Sequence, residues 1–455
     1  MLNLENATQR IRDILKSDDD KLIREELNNL HSADLAEIFD HLSSEERIKA
    51  FNYLTEECAA DLLEELPAQF QVEILEEINE EKAARIILRM PHDSVADVLG
   101  DLTDSETEAY LNKLPARVSS QIRELLSYKE DTAGGIMNSE VITVEKDMTV
   151  EEALSYIRIK AETDKIDLYY VYVVDKFNHL CGVLSLRELI TSPQYIKIED
   201  IMITDIFKVN VDDDQEIVAD TLMKYGFLAI PVVDHYGKLK GIVTWDDAQE
   251  ISEEETTEEI YASSGISTDI IDEDEILSGH MFNAIRARLP WLFITLIGEF
   301  FAVNVAHHFD TTLHAIPIIA IFMPLLAGLG GNIGTQSITL MVRGLSTGQV
   351  NMSTAFHHIF RELRIGLFIG ILFGLMVAVF TWNWQNSVVL GSVVGLAMAI
   401  NMTLATVIGT VTPFILKKLK IDPAVASGPV IATTIDVLGL AVYFTLVTYS
   451  LHYLL

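Results

Sequence analysis

Two acidic side chains stand in stretches otherwise apolar enough to enter a lipid bilayer, Asp436 in ATTIDVLGLAVYF and Glu299 in TLIGEFFAV. A carboxylate in hydrocarbon is costly, so it faces protein or water and commonly marks an ion or proton path. Neither stretch carries a Lys or Arg to neutralise its acid. Hard divalent cations take oxygen ligands, and Mg²⁺ keeps much of its water. One carboxylate from each of two paired chains, helped by backbone carbonyls, therefore suffices to hold a hydrated ion. Asp436, with Thr433, Thr434 and Gly439 around it, is the candidate pore ligand. For both acids the alternative is a protonated or hydrogen-bonded carboxyl with a packing role only.

A second acidic feature lies outside the apolar stretches. Residues 250–275 hold eleven acids and no base, and Glu255, Glu258 and Glu259 share one helical face. Like charges so spaced repel unless something neutralises them. The whole chain divides in the same sense: residues 1–284 carry 63 acids and 25 bases, whereas residues 285–455 carry five and eight. Such an acidic half repels phosphate backbones, which excludes nucleic acid as a partner and favours cations. Cys58 and Cys181 form neither a disulfide framework nor a zinc motif, and the N-terminus lacks a secretory signal. No Walker loop, Gly-x-Ser-x-Gly elbow or His-Glu-x-x-His motif is present, so an enzyme is not expected. The adjacent pairs His307-His308 and His357-His358 point apart on a helix and read as interfacial.

The elements that must position these acids are legible in outline. Five stretches are long and apolar enough to span a bilayer: 289–309, 315–334, 365–382, 388–416 and 425–448. Arg286 and Arg288 precede the first, Arg343, Arg361 and Arg364 follow the second, and Lys417, Lys418 and Lys420 follow the fourth. The positive-inside rule then puts the N-terminus in the cytoplasm and His452-Tyr453 outside. Trp291, Trp382, Trp384, Tyr449 and Tyr453 are the expected interfacial anchors. The second span ends in PLLAGLGGNIGTQS, whose clustered glycines predict a tightly packed helix, broken if its backbone lines water. Pro413 is the expected early end of the fourth span's membrane part. The fifth begins DPAVASGP, with Asp422 at its cytoplasmic end.

In the soluble half, Leu42, Leu54, Leu66, Ile78, Met90, Leu102 and Leu114 recur every 12 residues. Each is followed by Ser, Thr, Pro or Asn, the pattern of short antiparallel helices stacked into a superhelix. Two β-turn-β-α units follow, beginning at Ile136 and Ile201, with strands expected at 169–175, 181–185, 229–234 and 241–244.

These paired units resemble CBS modules through YYVYVVDKFNHLCGVLSLREL and LAIPVVDHYGKLKGIVTWDDA. That resemblance implies dimerisation and adenine-nucleotide (ATP) binding, with Tyr170 stacking the base and Arg187 meeting phosphate. The order of acidic helical repeat, CBS pair, acidic connecting helix and five spans resembles the MgtE family of magnesium channels, as do GGNIGTQS, DPAVASGP and ATTIDVLGL. The fold implied is a multidomain membrane protein: an all-α superhelical N domain over 1–130, an α/β tandem CBS pair over 131–252, a connecting helix over 253–284 and a five-helix pore domain over 285–455. The function implied is a homodimeric Mg²⁺ channel of the cell membrane, closed by cytosolic Mg²⁺. By the same resemblance Asp436 lines the pore, and Glu216, Asp246, Asp247, Glu250, Glu255, Glu258 and Glu259 are sensor ligands, with Asp422 a further metal candidate. Gly226 departs from the family pattern where an acid is expected, and Gly428 where a pore-lining amide is expected. The competing readings are a proton- or cation-coupled metal exchanger and a membrane sensor that moves no ion.

Overall fold

The computed structural model describes residues 4–17, 19–163, 168–267, 281–421, 423 and 428–454. The chain divides into two compact units, Met1–Glu254 and Glu255–Leu455.

The first unit opens with ten helices: α1 (Leu4–Leu15), α2 (Asp20–Asn28), α3 (Ser32–Asp40), α4 (Ser44–Tyr53), α5 (Glu56–Glu65), α6 (Ala68–Glu77), α7 (Glu80–Ile87), α8 (His92–Gly100), α9 (Asp104–Leu111) and α10 (Ala116–Leu125). The 12-residue beat explains them directly. Six of the seven repeating Leu, Ile and Met side chains are buried, and Leu102 is partly buried against the same core. Each follower occupies the N-cap position: Ser43, Thr55, Pro67, Asn79, Pro91, Thr103 and Pro115. Ser43 with Glu46 and Thr103 with Glu106 form capping boxes, which satisfy amide groups that a helix start leaves open. Alternate helices pack on one another, α3 on α5, α5 on α7, α4 on α6 and α8 on α10, which winds the superhelix.

Two matching three-stranded sheets follow. In the first, β1 (Thr143–Glu145) runs parallel to β2 (Tyr170–Val174), which pairs antiparallel with β3 (Leu180–Ser185); α11 (Val150–Thr163) and α12 (Leu186–Thr191) complete it. In the second, β4 (Val209–Asn210), β5 (Ala229–Val233) and β6 (Leu239–Thr244) repeat that order, with α13 (Gln215–Tyr225) between β4 and β5. Bridges Val183↔Ile203 and Asn138↔Ile242 exchange the segment before each first strand onto the other module. The last helix, α14 (Trp245–Ser264), starts as the second module's closing helix and runs on through the acidic run.

The second unit holds the five long apolar helices. After α15 (Met281–His308) and the short α16 (Asp310–Ala315), a 3₁₀ turn over Pro317–Phe322 leads into α17 (Met323–Ser346). Then come α18 (Ala355–Gln385), α19 (Val388–Lys418), α20 (Gly428–Tyr449) and a terminal turn, α21 (Leu451–Leu454). One expectation is corrected. The glycine segment does not end the second span: α17 passes Gly334 and continues to Ser346. The fourth long helix, α19, contains Pro413 and runs to Lys418. Along α17 the neighbours explain the continuity. Gly330 and Gly439 lie against Asn401, Gly334 against Ile435 and Ala405, and Gly409 against the Gly334 carbonyl. The glycines therefore let α17, α19 and α20 approach closely as intact helices, the role small residues take where hydrophobic burial cannot drive association.

Candidate functional site

In the membrane unit, Asp436 sits midway along α20 and is half-buried. Its Oδ1 is shielded from solvent and has no hydrogen-bond partner. The hydroxyls beside it are committed elsewhere: Thr433 donates to the Pro429 carbonyl and Thr434 to the Val430 carbonyl, at 2.8 and 2.9 Å. Gly298 of α15 abuts Thr433, so α15 meets α20 one turn from Asp436. That contact brings Glu299 near enough for its charge to act on Asp436. Glu299 itself is exposed on α15, whereas Asp436 is half-buried. Asn401, against Gly439 one turn from Asp436, is 2% exposed and donates to the Leu326 carbonyl at 2.8 Å, fixing α19 to α17.

The end of α14 is tied to the entry of α20. Gly265, at φ +77°, turns the chain after α14 and lies against Pro429 and Trp291. Such a left-handed residue just past a helix is one that glycine adopts without strain. Gly428 is buried, and a side chain there would start against the Thr335 side chain and the Ser263 carbonyl. Glu259 on α14 meets Arg343 of α17 at 3.4 Å. A base from α17 therefore relieves part of the like-charge repulsion on the Glu255, Glu258 and Glu259 face.

In the first unit, Asp247 and Glu250, expected as sensor ligands, lie near acids of the helical repeat. Asp93 on α8 is 9% exposed, and burial first, then the Asp247 charge, raises its carboxyl well above the usual range. Glu64 on α5 is pushed up to about 7 by burial and by Asp61, Glu65 and Asp247, although Ser94 donates to it at 3.4 Å. Asp97 is also pushed up to about 7, by burial and by Asp101, Asp247, Glu130 and Glu250. Asp247 and Glu250 are themselves raised by burial; for Asp247 the Thr244 hydroxyl and amide oppose the rise. The neighbouring charges that raise these carboxyls all have the same sign. Among the described residues no group of three His, Cys, Asp or Glu side chains is placed to hold a metal ion.

Beside this cluster His92 shares a 2.8 Å hydrogen bond with Ser139, and burial with the Arg117 charge lowers its imidazole to about 4. It thus joins the repeat to the CBS pair as a neutral group.

The other expected residues are placed as follows. Asp246 is exposed beside Asp247. Glu216 is exposed on the first turn of α13 and is not among the acids acting on the cluster. Asp422 lies outside the described residues. Gly226, at φ +66°, caps α13 in a left-handed conformation that an acidic side chain would strain. Tyr170 pairs across the hairpin with Ser185, two residues before Arg187, so both border one end of the first sheet. Arg187 is exposed. Glu64, Asp93 and Asp97 were not among the sequence candidates. The signal for α8 was present, since Asp93, Asp97 and Asp101 recur at four-residue spacing on one face without a base.

A bundle of five bilayer-length helices around an unpaired carboxylate, with a soluble part built on paired CBS modules, defines a multi-pass membrane protein equipped for cations. Comparison narrows the class. Profiles match for MgtE, a divalent cation transporter, over residues 323–446; for the MgtE intracellular N domain over 30–131; and for the CBS domain over 133–194 and 198–254. The chain is 34% identical to the magnesium transporter MgtE of Thermus thermophilus over 445 residues, 97% of this chain and 98% of that one. It is 36% identical to magnesium transporter MgtE of Bacillus subtilis over 344 residues, 75% of this chain and 74% of that one. The crystal structure of the cytosolic domain of the Mg²⁺ channel MgtE in complex with ATP is similar at a TM-score of 0.52 and 34% identity, covering 54% of this chain and 99% of that one. The chain belongs to the MgtE family of divalent cation transporters.

Proposed function

We propose that this protein is a Mg²⁺ channel, working as a homodimer, whose pore is lined by Asp436 and closed from the cytosol by Mg²⁺. One observation carries the pore assignment: a mid-span carboxylate oxygen, shielded and without a partner, flanked by hydroxyls already engaged. Pairing of two chains supplies two such carboxylates to one hydrated ion. Exposed Phe207, Tyr225, Leu228 and Trp245 on the second CBS module offer an apolar face for that pairing.

The regulatory reading rests on the acid cluster. Cytosolic Mg²⁺ bridges Glu64, Asp93 and Asp97 of the helical repeat to Asp247 and Glu250, and further ions sit on Glu255, Glu258 and Glu259; Asp246 adds charge to the cluster, and Glu216 holds an ion apart from it. When Mg²⁺ is scarce the acids repel and the compact arrangement loosens. The release reaches the pore through α14, whose end rests on Pro429. Mg²⁺ shifts the equilibrium only by its preference for the compact state. The division into N domain 1–130, CBS pair 131–252, connecting helix 253–284 and pore domain 285–455 follows these roles, as does a cytoplasmic N-terminus with the C-terminus outside. Asp422 belongs to the cytoplasmic pore mouth. ATP binds the CBS pair at Tyr170 and Arg187; the protein is not an enzyme. Uptake of Mg²⁺, Co²⁺, Mn²⁺ and Ca²⁺ into proteoliposomes tests this: wild-type protein conducts Mg²⁺ and Asp436→Ala does not, whereas equal uptake by both removes Asp436 from the path.

A further inference from the structure

A cleft of about 280 Å³ opens between α10 and the CBS pair, at the end where the two hairpin turns meet. Its floor is apolar, formed by Leu125, Met137 and Leu239, all nearly buried. Its rim is polar and, unusually for so acidic a region, carries two lysines, Lys238 and Lys240. Lys240 is held at 2.5 Å by Glu124 of α10. Lys238 is exposed and, among the described residues, has no acid within ion-pair distance. Tyr170 and Arg187 do not line this cleft.

Pockets that take small ligands combine an apolar floor with a few convergent polar groups. Two ammonium groups on one rim favour an anion, against the Glu124 carboxylate on Lys240 and the neighbouring Asp234 charge; compact lysine charges serve phosphate well. Glu124 occupies Lys240 much as an internal counter-ion would, and an oxyanion would displace it. We propose that this cleft is a binding site for a small phosphate-class oxyanion, separate from the nucleotide-binding end of the CBS pair. Because one wall is the last helix of the repeat and the other belongs to the CBS modules, the ligand joins the two.

The test is calorimetric titration of inorganic phosphate into the full chain in detergent, without Mg²⁺ and at constant ionic strength, with hydrogen exchange of α10 read in parallel. Saturable binding is expected, weakened at least tenfold in the Lys238→Gln/Lys240→Gln variant and tightened severalfold in Glu124→Gln. Exchange over α10 should slow on binding. Absence of saturable binding, or equal affinity in the double variant, overturns the site. If the double variant melts, Glu124→Gln decides alone: tighter binding supports the assignment, and unchanged binding refutes it.

Discussion

Mg²⁺ binding to the cytosolic acids should release protons, and the structure fixes roughly how many. At pH 7 a carboxyl raised to about 7 is half protonated, which describes Glu64 and Asp97; burial shifts Asp93 in the same direction. A metal ligand must be deprotonated. If Mg²⁺ engages Glu64 and Asp97, about one proton leaves from the pair, less where water at their exposed edges screens the repulsion, and Asp93 adds to the release in the same direction. The sign follows from the direction of the shifts. Acids whose compact-state values are raised bind more protons there than when separated. The metal-free compact state therefore loses stability as pH climbs from the ordinary carboxylate range through about 7, and Mg²⁺ restores it. Calorimetry in buffers of different ionisation enthalpy reads the number directly, as the slope of observed heat against buffer enthalpy. Raising the pH to 8.5 should remove most of the contribution of Glu64 and Asp97, which are then ionised before Mg²⁺ arrives. A slope of zero at pH 7, with Mg²⁺ still bound, refutes the claim that these carboxylates are the ligands.

Three further outcomes are expected. Replacing Glu255, Glu258 and Glu259 together by Gln should leave flux high at cytosolic Mg²⁺ levels that silence the wild type; full closure of the variant in a liposome flux assay contradicts the sensor role. Gly334→Leu should uncouple α17 from α20, because any side chain there meets Ile435 and Ala405; overpacking of about 1–3 kcal/mol or more should appear as a lower melting temperature in detergent, with an unchanged melt contradicting it. Arg187→Ala should weaken ATP binding at least tenfold in a filter-binding assay, while equal affinity removes Arg187 from the nucleotide contacts.

Much of this architecture is legible in the sequence because local signals and burial coincide. Leu66 and Pro67, or Ile78 and Asn79, each pair a buried side chain with a helix start, so the repeat announces both core and boundary. The strands of the CBS pair fall within a residue or two of their expected ends, since alternation and turn residues agree. Five spans stand out by length and hydropathy. What stayed hidden depends on contacts distant in sequence. Gly334 reads as a helix end until Ile435 and Ala405 are seen to need its missing side chain. Arg343 looks like a topology signal only, yet it neutralises Glu259, far away in the chain. Glu64, Asp93 and Asp97 resemble any solvent-facing acids of a repeat, and only the approach of Asp247 makes them a charge cluster.

The central claim is that an ion passes Asp436 and that cytosolic Mg²⁺ stops it. Purified protein in a planar bilayer, with Mg²⁺ as the sole permeant cation, addresses both halves. Unitary currents should appear at micromolar cytosolic Mg²⁺, fall away as that side is raised to millimolar, and be absent in Asp436→Ala protein that melts like the wild type. Currents of equal size in that variant, or Mg²⁺ flux that occurs only with a proton gradient and without unitary events, would contradict the account.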